Sequence, residues 1–132
     1  DNPVVGLMTE WSQNNKKIRR SFESDKGGTM RLGSYPCKVQ KGSLINKIYG
    51  SAKIFERHRH RYEVNTKYLE VFKKKGFVYS GMSPDNLLPE ILESKNHSWY
   101  IGVQFHPELK SRPQNPHPLF ISFIEACIRK DK

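Results

Sequence analysis

The stretch Tyr100-Ile-Gly-Val-Gln-Phe-His-Pro-Glu108 constrains this chain more than any other. Its β-branched and aromatic start has the composition of a short strand buried on both faces of a mainly parallel sheet, with His106, Pro107 and Glu108 following at its carboxyl end. In open α/β sheets that edge is where ligands bind. Residues two apart in extended backbone project to the same side, and Pro107 pushes His106 away from helical angles, so the imidazole and the carboxylate can meet. A histidine backed by an acid is a base with its orienting group, two of the three parts of a nucleophilic triad. The bland alternative is a buried strand ending in a turn with a satisfied histidine and a surface glutamate.

A chain of 132 residues is the size of one domain and buries a real core, yet it is short for a complete doubly wound enzyme, so it is expected to be a portion of one. No run approaches the roughly 20 apolar residues of a membrane span, and no charged-then-apolar leader opens the chain. Cys37 and Cys127 lie far apart without CxxC spacing, which indicates neither a zinc site nor a disulfide framework and suits a reducing cytoplasmic setting. Both are expected to be structural, since a free cysteine usually behaves as a small buried hydrophobe. Lysine plus arginine outnumber aspartate plus glutamate 23 to 13, a formal charge of +10 that raises the question of polyanions. The lysines are scattered and no nucleic-acid motif accompanies them, so a solvated surface is expected, with neither nucleic acid nor membrane as partner.

Along the chain, Val4 to Met8 reads as a short strand, and residues 11–28 as a polar loop or loose hairpin. Residues 29–39 read as extended, with Gly33 and Pro36 favouring a bulge or an edge. Ser43 caps a short helix stopped by Gly50, and Asn65 caps a second one ended by Gly76. Phe77 to Gly81 and Leu87 to Leu92 form a hairpin around the turn at Ser83-Pro-Asp-Asn86. After Glu108 a proline-rich loop leads to a helix whose Leu119, Phe120, Phe123, Ile124, Cys127 and Ile128 recur at three and four residues and are expected to pack on the sheet.

Between these elements stands Phe55-Glu-Arg-His-Arg-His-Arg-Tyr-Glu-Val-Asn65. In extended form Arg57, Arg59 and Arg61 face one way and His58 and His60 the other. A guanidinium fork matches a carboxylate with two parallel hydrogen bonds, so the comb suits an anion; the alternative is a solvated basic edge. Two alternate histidines without a nearby cysteine or aspartate are a poor zinc site.

The pattern Gln104-Phe-His-Pro-Glu108 resembles the closing motif of class I glutamine amidotransferases, which hydrolyse glutamine with a Cys-His-Glu triad. Together with Gly27-Gly-Thr-Met-Arg-Leu-Gly33, Glu56-Arg-His-Arg-His-Arg-Tyr-Glu-Val-Asn65 and Pro116-His-Pro-Leu-Phe120, it is similar in order and spacing to the CTP synthase branch of that family. The resemblance implies an open, mostly parallel α/β sheet flanked by helices, flavodoxin-like, of which residues 1–132 are the C-terminal portion. It implies that His106 is the general base, Glu108 its orienting partner and Arg61 the ligand of the glutamine substrate. It also implies that the nucleophilic cysteine lies upstream, because neither Cys37 nor Cys127 stands in a Gly-x-Cys-x-Gly turn. No cofactor is expected in this segment; ATP and magnesium belong to the synthetase domain of the full-length enzyme, which aminates UTP and is expected to be a homotetramer. The rival readings are a non-catalytic module with this fold, polyanion binding through the +10 charge, and a related amidotransferase serving another acceptor.

Overall fold

The computed structural model describes residues 4–7, 10–13, 16–19 and 30–130. In chain order these form Val5–Leu7 (β1), Glu10–Gln13 (β2), Lys16–Arg19 (β3), Arg31–Val39 (β4), Leu44–Tyr49 (α1), Lys53–His60 (β5) and Tyr62–Val64 (β6). Leu69–Lys74 (α2), Phe77–Met82 (β7), Pro89–Ser94 (β8), Ile101–Val103 (β9) and Pro118–Lys130 (α3) follow, with single 3-10 turns at Thr66–Tyr68 and Pro107–Leu109. β1 pairs with β6 and β2 with β3, and a five-stranded sheet runs in the order β5-β4-β7-β8-β9. The expected hairpin within residues 11–28 is β2 and β3; its remaining residues lie outside those described.

Local chemistry accounts for the elements. Ser43 Oγ accepts the Asn46 N–H at 3.1 Å and starts α1, and Gly50 ends it at φ 63°, a left-handed conformation that favours glycine. From β8, the Glu93 carboxylate receives the Leu44 and Ile45 N–H groups at 2.9 Å each, so an acid on the sheet fixes the helix by its positive end. Asn65 likewise accepts from Lys67 N. Pro36 is accommodated in β4 because β7 meets that strand only at Lys38 and Val39, leaving residues 31–36 with a partner on one side.

Every strand pair in the five-stranded sheet is antiparallel, including β8 with β9. The parallel surroundings expected for residues 100–105 are therefore not what β9 has here: it is half-buried and, among the described residues, stands at an edge. The reason lies in the connection, since only residues 95–100 separate it from β8 and a parallel return needs a crossover of about a dozen or more.

The core is Cys37, Val39, Ile45, Ile54, Ile91, Phe105 and Leu119. Each Ile, Leu or Phe buried there contributes roughly 1.5–3 kcal/mol. α3 departs from expectation. Leu119 is buried and Ser122 Oγ accepts from Trp99 Nε1 at 2.9 Å, but Phe120, Phe123, Ile124, Ile128 and Cys127 are exposed. The helix seats itself through its first turns beside α1, and the rest of its apolar repeat is wider than the contact can cover. Cys37 is buried as expected; Cys127 is not, because it lies on this uncovered side.

The sheet also curls. β5 and β9 are its two edges, yet the His106 N–H, three residues past β9, donates to the Arg57 carbonyl on β5 at 2.8 Å. Phe105 is drawn beneath, its ring 6.2 Å from that of His58.

Candidate active site

His106 and Glu108 come together at this seam. His106 has extended backbone, φ −113° and ψ 90°, because a proline follows it, and the 3-10 turn Pro107–Leu109 brings the Glu108 side chain back under the ring. Nδ1 and Oε1 are 2.7 Å apart. A carboxylate only accepts, so the proton of neutral His106 sits on Nδ1 and Nε2 carries the free lone pair. The slight burial of Glu108 favours its neutral form, but its own backbone N–H and the His106 ring more than offset that and hold its pKa below the usual carboxylate range. Side-chain exposures of 36% and 59% leave the pair open to an incoming molecule.

Arg61 is placed four residues after Arg57, where β5 gives way to β6. The arginine comb is not uniform. Arg57 and Arg59 are exposed on the outer face of β5 while His58 is buried, as alternation predicts, but Arg61 follows the end of the strand and turns partly inward. Its Nε is buried and, among the described residues, makes no hydrogen bond, and no bond joins Arg61 to His106 or Glu108. A guanidinium nitrogen without a partner is free to donate to an anion.

Behind these groups runs a buried polar network that sequence reasoning missed. Arg31 donates to Glu63 at 3.1 Å and to Glu90 at 2.7 Å, and Gln104 Nε2 donates to Glu63 at 3.2 Å. His58 Nδ1 lies 2.8 Å from His60 Nε2, and His60 Nδ1 lies 2.9 Å from the Tyr62 carbonyl. Proton positions follow by elimination. The carbonyl accepts, so His60 carries its proton on Nδ1; its Nε2 then accepts from His58 Nδ1, and His58 Nε2 is left bare. Among the described residues that atom and Glu90 Oε2 have no other partner, and they stand 3.5 Å apart. A proton on Glu90 Oε2 pointing at His58 Nε2 is the arrangement that serves both.

The titration behaviour agrees with this assignment. Burial, then Arg31, His60 and His106, pushes His58 down to about 3, and burial with Arg31 and His106 pushes His60 down to about 4. Burial pushes Glu90 up to about 7 against the pull of Arg31. The His58–Glu90 contact is therefore not an ion pair at neutral pH. One signal in the sequence pointed here: the single acid inside Leu87-Leu-Pro-Glu-Ile-Leu92 is either solvent-facing or a buried charge in need of a partner.

Cys37 is not placed to act as a nucleophile. Cys37 is 1% exposed, its thiol pushed up to about 12 by burial and then by Glu90, the opposite of an activated thiolate. Among the described residues no cluster of three or more His, Cys, Asp or Glu side chains is disposed to hold a metal ion, and no helix is long and apolar enough to cross a membrane.

A family model described as glutamine amidotransferase class-I matches residues 6–126. The chain is 58% identical over 130 residues to the CTP synthase of Hyphomonas neptunium, covering 98% of this chain and 24% of that protein. It is 61% identical over 125 residues to the CTP synthase of Pelagibacter ubique, covering 95% and 23%. It thus spans about a quarter of the length of the curated relatives it matches. Among solved structures, the glutaminase domain of Trypanosoma brucei CTPS with bound acivicin superposes with a TM-score of 0.71 at 38% identity, over 76% of this chain and 40% of that one. The fold is accordingly that α/β fold, present in part.

Proposed function

This chain belongs to the class-I glutamine amidotransferase family, and from that premise we propose that it is the C-terminal portion of the glutamine-hydrolysing domain of a CTP synthase. The parent enzyme is a ligase of pyrimidine nucleotide biosynthesis in the cytoplasm, a homotetramer that uses ammonia from glutamine to aminate UTP. ATP and magnesium serve that second reaction in the synthetase domain, and this segment holds no cofactor.

The residues divide the work. Arg61 takes the α-carboxylate of glutamine in its fork. His106 Nε2 removes the proton of a cysteine thiol supplied by the upstream part of the domain, and the thiolate attacks the γ-amide carbonyl carbon. The imidazolium, stabilised by the Glu108 carboxylate on Nδ1, returns its proton to the leaving nitrogen, which departs as ammonia. A water deprotonated at Nε2 then cleaves the thioester to glutamate and restores the thiol. The reading is carried by one observation: a 2.7 Å Nδ1–Oε1 contact that leaves Nε2 as the unprotonated nitrogen of a partly exposed ring.

The test is His106→Ala in the intact enzyme. Glutamine-dependent CTP formation should be lost while formation from added ammonia is retained. Equal loss of both would make His106 a structural residue and refute the assignment.

A further inference from the structure

Two pieces of the sequence have no part in that mechanism: Glu56, at the head of the arginine-histidine run, and His117, in the proline-rich segment before α3. They meet. Glu56 is 1% exposed, and its Oε1 is approached by the Tyr49 hydroxyl at 3.0 Å, His117 Nε2 at 3.1 Å and Lys110 Nζ at 3.1 Å. The donors are identifiable. The Leu119 N–H donates to His117 Nδ1 at 3.3 Å, so neutral His117 carries its proton on Nε2 and donates to the carboxylate; Tyr49 does the same. These bonds, His117 first and Lys110 next, overcome the penalty of burial and hold Glu56 below the usual carboxylate range.

Lys110 connects this hub to the catalytic turn. It directly follows the 3-10 turn that carries Glu108, and its ammonium also donates to the Phe55 carbonyl at 2.6 Å. At the other end of the turn the His106 N–H is bonded to the Arg57 carbonyl at 2.8 Å. Three consecutive residues of β5, Phe55, Glu56 and Arg57, thus grip both ends of residues 106–110. The His106–Glu108 pair is open to solvent, so packing gives it little support and these tethers set its place.

We propose that Glu56 is a positioning residue for the His106–Glu108 pair, its buried carboxylate anchoring the turn through Lys110. The inference rests on the reading of His106 as the base. Loosening the anchor would leave the ring present but misplaced, and errors of about an ångström in a reacting group cost up to ~100-fold in rate.

The experiment uses the intact enzyme with Glu56→Gln, Lys110→Met and the double variant. Glu56→Gln keeps the volume and an acceptor oxygen but removes the charge; Lys110 is partly exposed, so Lys110→Met leaves the core closed. Each single variant should lower kcat with glutamine ~10- to 100-fold with KM for glutamine changed less than about twofold, and leave ammonia-dependent CTP formation at the wild-type rate. The double variant should be no slower than the worse single one, because both remove the same anchor. A merely structural role would lower both activities together. If Lys110→Met retains near-wild-type kcat with glutamine, or the two effects multiply in the double variant, the proposal is overturned, whether or not Glu56→Gln folds. His106→Ala measured alongside separates the failures: should it retain glutamine-dependent activity, the assignment of the base is wrong.

Discussion

Replacing Glu90 by glutamine tests the buried network quantitatively. The amide oxygen still accepts from Arg31 and the amide nitrogen can donate to His58 Nε2, so Glu90→Gln imitates the protonated acid. In the wild type burial has moved this carboxyl from its ordinary 4.5 to about 7. Below 4.5 it is protonated whether the chain is folded or not. Between 4.5 and 7 the folded protein keeps a proton that the unfolded chain has released, so stability falls as pH rises; above 7 the loss is complete. At about 1.4 kcal/mol per pH unit the full interval is worth roughly 3 kcal/mol, most of it lost between pH 5 and pH 8. That figure already includes the attraction of Arg31, which keeps the carboxyl from rising further. Urea denaturation of both proteins, followed by tryptophan fluorescence at pH 5, 6, 7 and 8, gives the difference directly, and groups that titrate alike in both cancel. The stability of Glu90→Gln relative to wild type should climb by about 2 to 3 kcal/mol across the series. A difference that stays flat, or that runs against the variant at high pH, would show that Glu90 is an ordinary ion-paired carboxylate and that the proton positions assigned to His58 and His60 are wrong.

Two further outcomes bear on the site. Glu108→Gln in the intact enzyme leaves the side chain in place but withdraws the negative charge from His106 Nδ1, and kcat with glutamine should fall ~100-fold or more while KM stays close to wild type; an unchanged rate would free Glu108 of its role. Arg61→Lys keeps the charge but not the fork, so KM for glutamine should rise about tenfold with a smaller change in kcat, and a variant with wild-type KM would place the substrate carboxylate elsewhere.

What could be read from the sequence was what is local in the chain. His106 and Glu108 meet because they are two apart on either side of a proline, and the ends of α1 follow from Ser43 and Gly50, each acting within one turn. Arg61 was named, but its departure from the row of Arg57 and Arg59 depends on β5 ending at His60, which strand alternation cannot foresee. The apolar composition of residues 100–105 suggested burial between parallel strands, whereas the six-residue return from β8 fixed an antiparallel pairing. The helical repeat in α3 marked a helix correctly and misjudged its coverage, since periodicity reveals an apolar side and not what lies against it. The contacts of Arg31 with Glu90 and of Gln104 with Glu63 escape a sequence reading because their partners lie 59 and 41 residues apart and meet only when the chain folds.

That curling has a mechanical consequence. The backbone amide that fastens the last strand's exit to the opposite border of the sheet belongs to His106 itself, so the residue proposed as the base is also the stitch in the hem. Part of its aim is therefore inherited from the closure of the sheet. On the proposed mechanism, a ligand or neighbouring domain that pried the two borders apart would stop glutamine hydrolysis while the remaining strands kept their pairing.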